Sequence, residues 1–194
     1  MARIKGTALR ARLDYLAARF GETGLRRVLD QLSAELHAEI ADGVLVSAWY
    51  PLELSEAILG GAERLLGKGD GSLCEGIGLA SARKGLTSTY AAFAVQPEVS
   101  EIADKMRRTT SLVWRSYYDS GEFHTVATGP TTLRSELTGM KLQSPWLCHV
   151  LIGYIAGHVE VLGGHNVKVT HVSCVLRGRS RCLWDASWQT AGMK

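Results

Sequence analysis

Four cysteines in 194 residues are too few for the disulfide framework of a small secreted domain. A long clean apolar run is missing too. The most apolar stretch, Leu147 to Leu162, is interrupted by His149, His158 and Glu160 and falls short of the ~20 apolar residues that a membrane span needs. Met1 to Gly6 carries charge with no apolar segment behind it, which argues against a signal peptide. The expectation is a cytoplasmic protein with its thiols free or bound to metal. An excess of one charge is also lacking. The formal net charge is +3, without the concentrated basic stripe that a nucleic-acid partner calls for.

What is present is an ordinary globular composition, 46% apolar and 21% charged. A chain of this length buries roughly 70% of its unfolded surface without help from disulfides or metal. A single domain over 1–194 is expected, with a helical part at 1–120 and a sheet-containing core at 121–190.

Leu9, Leu13, Leu16, Ala17 and Phe20 recur at helical spacing, with Arg10, Arg12, Asp14 and Arg19 between them and Gly21 as the stop. Thr23 is placed to cap a second helix, and Ser33 a third that ends near Asp42-Gly43. Trp49-Tyr50-Pro51 marks a further start, with proline at the first helical position. Small-residue helices follow over Ser72 to Phe93, and Pro97 opens a helix towards Tyr117-Tyr118. Beyond Gly121 the pattern changes. Phe123–Val126 and Thr131–Leu137 read as a hairpin, Pro145–Leu162 as a helix, and Asn166–Leu176 with Arg181–Trp188 as a second hairpin. Grouped helices and strands joined by tight turns predict an α+β fold with an antiparallel sheet of two hairpins separated by a helix.

Several motifs fail on inspection. Five residues separate Gly61 from Gly67 where a phosphate loop needs four, and Lys68 is followed by Gly69 rather than a hydroxyl residue. Gly76-Ile77-Gly78 lacks both a third glycine and a preceding strand. Gly153 and Gly157, four apart, read as a place where another element approaches closely. Arg177, Arg179 and Arg181 read as decoration of an exposed turn. No histidine sits beside a serine or cysteine in a nucleophile motif.

Cys174 and Cys182 have Gly178 as their midpoint. A hairpin turning about that glycine sets the two thiols opposite one another, close enough to share a tetrahedral metal. A bulge would bring His171 to the same side, and Cys148 lies on the helical stripe that faces this hairpin. Three thiols and one imidazole make a closed, structural zinc set. Taken on spacing alone, the alternative of buried free thiols ranks ahead.

The stretch from Cys148 to Trp184, with Gly153, Gly157, Gly163-Gly164, Gly178 and Cys182 two residues before an aromatic, resembles the 4-vinyl-reductase domain. That superfamily also holds the haem-NO-binding-associated proteins and the TRAPP subunits. The resemblance implies helices on an antiparallel sheet, and either a pocket for a hydrophobic small molecule or a dimeric interaction surface. It also implies zinc held by three cysteines and one acidic residue. Cys148, Cys174 and Cys182 match the thiols, and His171 stands where the acid would be. Over nearly its whole length the chain is also similar to an uncharacterised myxobacterial paralogous family, through Lys5-Gly6-Thr7, Gly24-Leu25-Arg26, Ser47 to Leu52 and Tyr117 to Gly121.

Three functions compete. The first is a non-enzymatic sensor with an apolar pocket, for which Trp114, His124, Tyr154 and His158 are the candidate ligand residues. The second is a homodimeric or partner-docking scaffold. The third is a reductase-type enzyme, ranked last because no cofactor motif supports it.

Overall fold

The computed structural model describes residues 2–87 and 102–190. The expected helical positions Phe93, Pro97 and Val99 lie outside the described residues. The described chain runs β1 (Arg3–Lys5), α1 (Gly6–Leu29), α2 (Ala34–Ala38), β2 (Trp49–Pro51), α3 (Leu52–Leu65), α4 (Ser72–Thr87), α5 (Ile102–Tyr117), β3 (Glu122–Gly129), β4 (Thr132–Thr138), α6 (Trp146–Val161), β5 (His165–Ser173) and β6 (Cys182–Gln189). It is an α+β fold. A four-stranded antiparallel sheet has the order β3-β4-β6-β5, so the two hairpins predicted from the sequence sit side by side with α6 between them in the chain.

Gly21 breaks the helical pattern as a kink, at φ 71°, inside the one long α1. The two expected helices are its two arms. Ser33 caps α2, its Oγ accepting a hydrogen bond from the Leu36 amide. Pro51 departs from expectation. It stands just before α3 in an extended conformation rather than at the first helical position, because residues 49–51 are paired with Arg3–Lys5 in a short antiparallel ribbon. That ribbon is bound to the end of α5. Ile4 bridges Tyr118, and the Arg3 amide and Nε each donate to the Asp119 carboxylate at 2.7 Å.

Alternation sets the inward face of the sheet. Phe123 and Thr125 of β3, Leu133, Ser135 and Leu137 of β4, and Cys182, Trp184, Ala186 and Trp188 of β6 are buried. The one polar pair among them is satisfied across the register, Thr125 Oγ1 to Ser135 Oγ at 2.9 Å. α6 lies between this face and α4, which explains why it is apolar on nearly all sides.

The crossing of α4 and α6 is close enough to exclude side chains. A β-carbon on Gly153 would fall on the Glu75 carbonyl oxygen, and one on Gly78 on the Val150 carbonyl oxygen. Gly157 meets Ala82 and Leu79 in the same way. The small residues at 153 and 157 are therefore used for close approach.

Candidate metal centre and core cavity

The last hairpin turns through a short 3-10 segment, Val175–Arg177, and closes on Gly178 at φ 77°. A left-handed residue here favours glycine because a β-carbon would clash with its own backbone. The register shifts by one between His171↔Trp184 and Ser173↔Leu183. Two residues of β5 thus oppose one of β6, which brings His171 to the same side of the ribbon as Cys174. Cys174 and Cys182 face each other with their sulphurs 3.8 Å apart. Cys148 reaches them from the first turn of α6. One ligand atom from each of Cys148, His171, Cys174 and Cys182 lies within 4.8 Å of all the others.

This cluster is enclosed and pre-oriented. The three thiols are buried. The His171 ring stacks on Trp184, centroids 4.7 Å apart and 9° from parallel, which holds the imidazole plane. Trp184 Nε1 donates to the Cys148 carbonyl at 3.3 Å, tying the start of α6 to the sheet. The Val175 amide points at Cys182 Sγ from 3.4 Å. The Cys182 pKa is driven down, first by the Cys148 thiol beside it and further by the Val175 amide. The Cys148 pKa is driven up by the same contact and by burial. Nε2 of His171 is buried with no hydrogen-bond partner. Zinc–sulphur bonds of about 2.3 Å in a tetrahedron put sulphurs about 3.8 Å apart, the spacing already present between Cys174 and Cys182. The widest ligand separation would have to contract by about 1 Å. All four positions would come from protein, which suits a structural rather than a catalytic metal.

A second feature lies deeper in the helical half. A cavity of about 240 Å³ runs between α1, α4, α5 and α6. Exposed Arg10 and Lys84 and buried Phe123 and Leu151 line the same space, so it leads from the surface into the core. Trp114 forms one wall. It stacks on Tyr118 at 4.0 Å and gives its indole N–H to the carbonyls of Ser120 and Gly121. Phe123 stands between Trp114 and Trp184, at 5.3 and 5.9 Å. A continuous run of rings thus joins the cavity wall to His171.

Of the four ligand candidates, Trp114 and Tyr154 line this cavity, and His124 and His158 do not. His124 is exposed on β3, between Ser111 Oγ at 3.0 Å and Glu122 at 3.4 Å. His158 is packed in the core behind Tyr154. Arg12 and Tyr118 were missed. Arg12 reads as polar filler between leucines, yet it is 3% exposed. The signal was available: position 12 is three after Leu9 and four before Leu16, on the apolar face itself.

His158 has a measurable consequence. Burial penalises the imidazolium and pushes its pKa down from 6.5 to about 4. The unfolded chain takes up this proton near pH 6.5, the folded chain only near 4. Stability is therefore full above pH 6.5 and falls as the pH drops, by roughly 3 kcal/mol at pH 4 and below. Urea melts of wild type and His158→Phe between pH 7 and pH 4 check this. The variant loses that part of the acid dependence, and an identical slope in both proteins would contradict it.

No family model and no curated protein matches this chain. Solved structures do. The unliganded Fe(II) H-NOX protein of K. algicida superposes with a TM-score of 0.71 at 12% identity, over 98% of this chain and 99% of that one. The H-NOX protein of S. oneidensis in its Fe(II)NO state gives 0.68 at 14% identity, over 96% and 99%. The Fe(II)CO form of the H-NOX domain of Shewanella oneidensis gives 0.67 at 15%, over 95% and 98%. The chain has the H-NOX fold. Within this H-NOX fold, the cluster of Cys148, His171, Cys174 and Cys182 occupies the terminal hairpin and the start of α6, and the cavity lies in the helical half. Among the described residues, no helix is long and apolar enough to cross a membrane.

Proposed function

We propose that this protein is a non-enzymatic sensor which binds a small, largely apolar molecule in the cavity between α1, α4, α5 and α6. Its terminal hairpin is locked to α6 by a structural zinc on Cys148, His171, Cys174 and Cys182. The observation that carries the reading is the cavity itself, a space of about 240 Å³ walled by Trp114, Phe123, Val113 and Leu151. An engineered apolar cavity of about 150 Å³ holds benzene, so this one has room for a substituted ring or a small bicycle. A pure docking scaffold requires no such space. The metal half of the reading is supported by the chemistry of the donor set and by the partnerless His171 nitrogen.

The structural neighbours are described with Fe(II), NO and CO, and one of them with haem. Haem does not fit the residues of this cavity. Among the described residues, none of the six histidines lines it, nor does any cysteine or methionine. The volume is also below the ~300 Å³ at which pockets for drug-sized molecules begin. The sensor reading is accordingly one of a metal-free ligand in an H-NOX fold.

The test is a thermal-shift panel of one- and two-ring aromatic compounds. A ligand at a hundred times its Kd stabilises the native state by about 2.7 kcal/mol, a rise of about 5–10 °C for a protein of this size. Ala11→Phe, which fills the cavity from α1, removes the shift while the protein remains folded. A panel with no shift from any compound overturns the proposal.

A further inference from the structure

The cavity is not uniformly apolar, and cations outnumber acids among its described lining residues. Among the described residues, Arg10, Arg12 and Lys84 line it against a single carboxylate, Asp14. Arg10 and Lys84 are exposed and both reach Asp14, at 2.9 and 3.7 Å. Arg12 is different. It is buried in the wall, where a guanidinium stays charged at any relevant pH. Its Nη2 donates to the Tyr118 hydroxyl at 2.8 Å, while its Nη1 is buried with no hydrogen-bond partner. No carboxylate oxygen of the described residues lies within 4.0 Å of it. Glu56 is near enough to feel its field. The Glu56 Oε1 is instead taken by the Gln143 amide and by the amide and hydroxyl of Ser144.

A buried guanidinium with one nitrogen unsatisfied and no carboxylate in direct contact is costly for a core to hold. A ligand that brings its own anion would relieve that cost. We infer that the cavity is built for an aromatic monocarboxylate, with the carboxylate on Arg12 and the ring among Trp114, Phe123 and Tyr154. Among the described lining residues, three cations against one acid favour an anion on the way in. The ring walls and the volume set the size of the apolar body, and the guanidinium selects its head group by charge and by its planar pair of donors. This inference rests on the reading of the cavity as a ligand site and adds the chemical class of the ligand.

The experiment compares phenylacetate and indole-3-acetate with their neutral amides, by calorimetry and by quenching of tryptophan fluorescence. In the wild-type chain each acid binds at least about tenfold more tightly than its amide, the range expected for a charge-assisted hydrogen bond. In Arg12→Met the acids fall to the affinity of the amides, and the amides keep theirs. Equal binding of acid and amide to the wild-type chain overturns the inference and leaves the apolar ligand site standing. No binding of either overturns both. The wild-type comparison requires no variant, so it decides the matter even where Arg12→Met does not fold. Tyr118→Phe, which frees Nη2 and keeps the charge, retains the preference for the acid.

Discussion

Protein purified without a metal-affinity tag carries close to one equivalent of zinc, and loss of any one thiol of the cluster removes it. Ser replacements at Cys148, Cys174 or Cys182 are expected to cost about 5 kcal/mol or more. Structural zinc contributes an apparent 10–16 kcal/mol in small domains, and here part of the sheet would survive without it. The effect is large because the four ligands come from three separate places: the first turn of α6, the end of β5 and the start of β6. Losing the metal would free the ribbon from the helix. Cys74 is an internal control, since it is buried in α4 away from the cluster. Its thiol pKa is raised by burial and by the nearby Glu63. Cys74→Ser retains the zinc. Elemental analysis and chelator-dependent melting provide the measurement. Less than about a tenth of an equivalent of zinc, with melting indifferent to chelator, would reduce the cluster to three buried thiols and a stacked imidazole.

The second large effect is at the crossing of α4 and α6. Gly153→Ala and Gly78→Ala are each expected to destabilise the protein by more than about 3 kcal/mol, because the added methyl meets a backbone carbonyl that cannot rotate away. The helices would have to separate, and α6 carries both Cys148 and the cavity-lining Leu151 and Tyr154. Gly85→Ala, in the same α4, provides the contrast. Among the described residues, a β-carbon there meets only the Tyr117 hydroxyl, at an ordinary 3.5 Å, and alanine gains up to about 1 kcal/mol in helix propensity. Chemical denaturation of the three variants separates the two cases. A Gly153→Ala protein as stable as the wild type would show that the two helices are not packed backbone to backbone.

Legibility in the sequence followed the range of the interaction. The last hairpin could be read because its turn is local. Gly178, at the midpoint of two cysteines, sets the register that brings their sulphurs to 3.8 Å, and no distant residue is needed to choose it. Ser33 was readable for the same reason. The ribbon of Arg3–Lys5 with Trp49–Pro51 was not, since three residues show no period and the pair exists only because α1 and α3 bring it to Asp119. Arg12 was misread by residue type, although its position in the apolar stripe was correct for burial.

The sequence by itself determined the α+β order of elements, the turn that pairs Cys174 with Cys182, and the small residues of α6, because each depends on backbone preferences within a few residues. The tertiary structure decided whether Cys148 and His171, proposed from the sequence as partners of that pair, come within 4.8 Å of it, and it alone decided that His124 and His158 lie apart from Trp114 and Tyr154 and that a buried arginine stands in the cavity wall. Each of these depends on how whole helices and strands pack, where one residue of bulge or one close helix crossing redirects a side chain across the core.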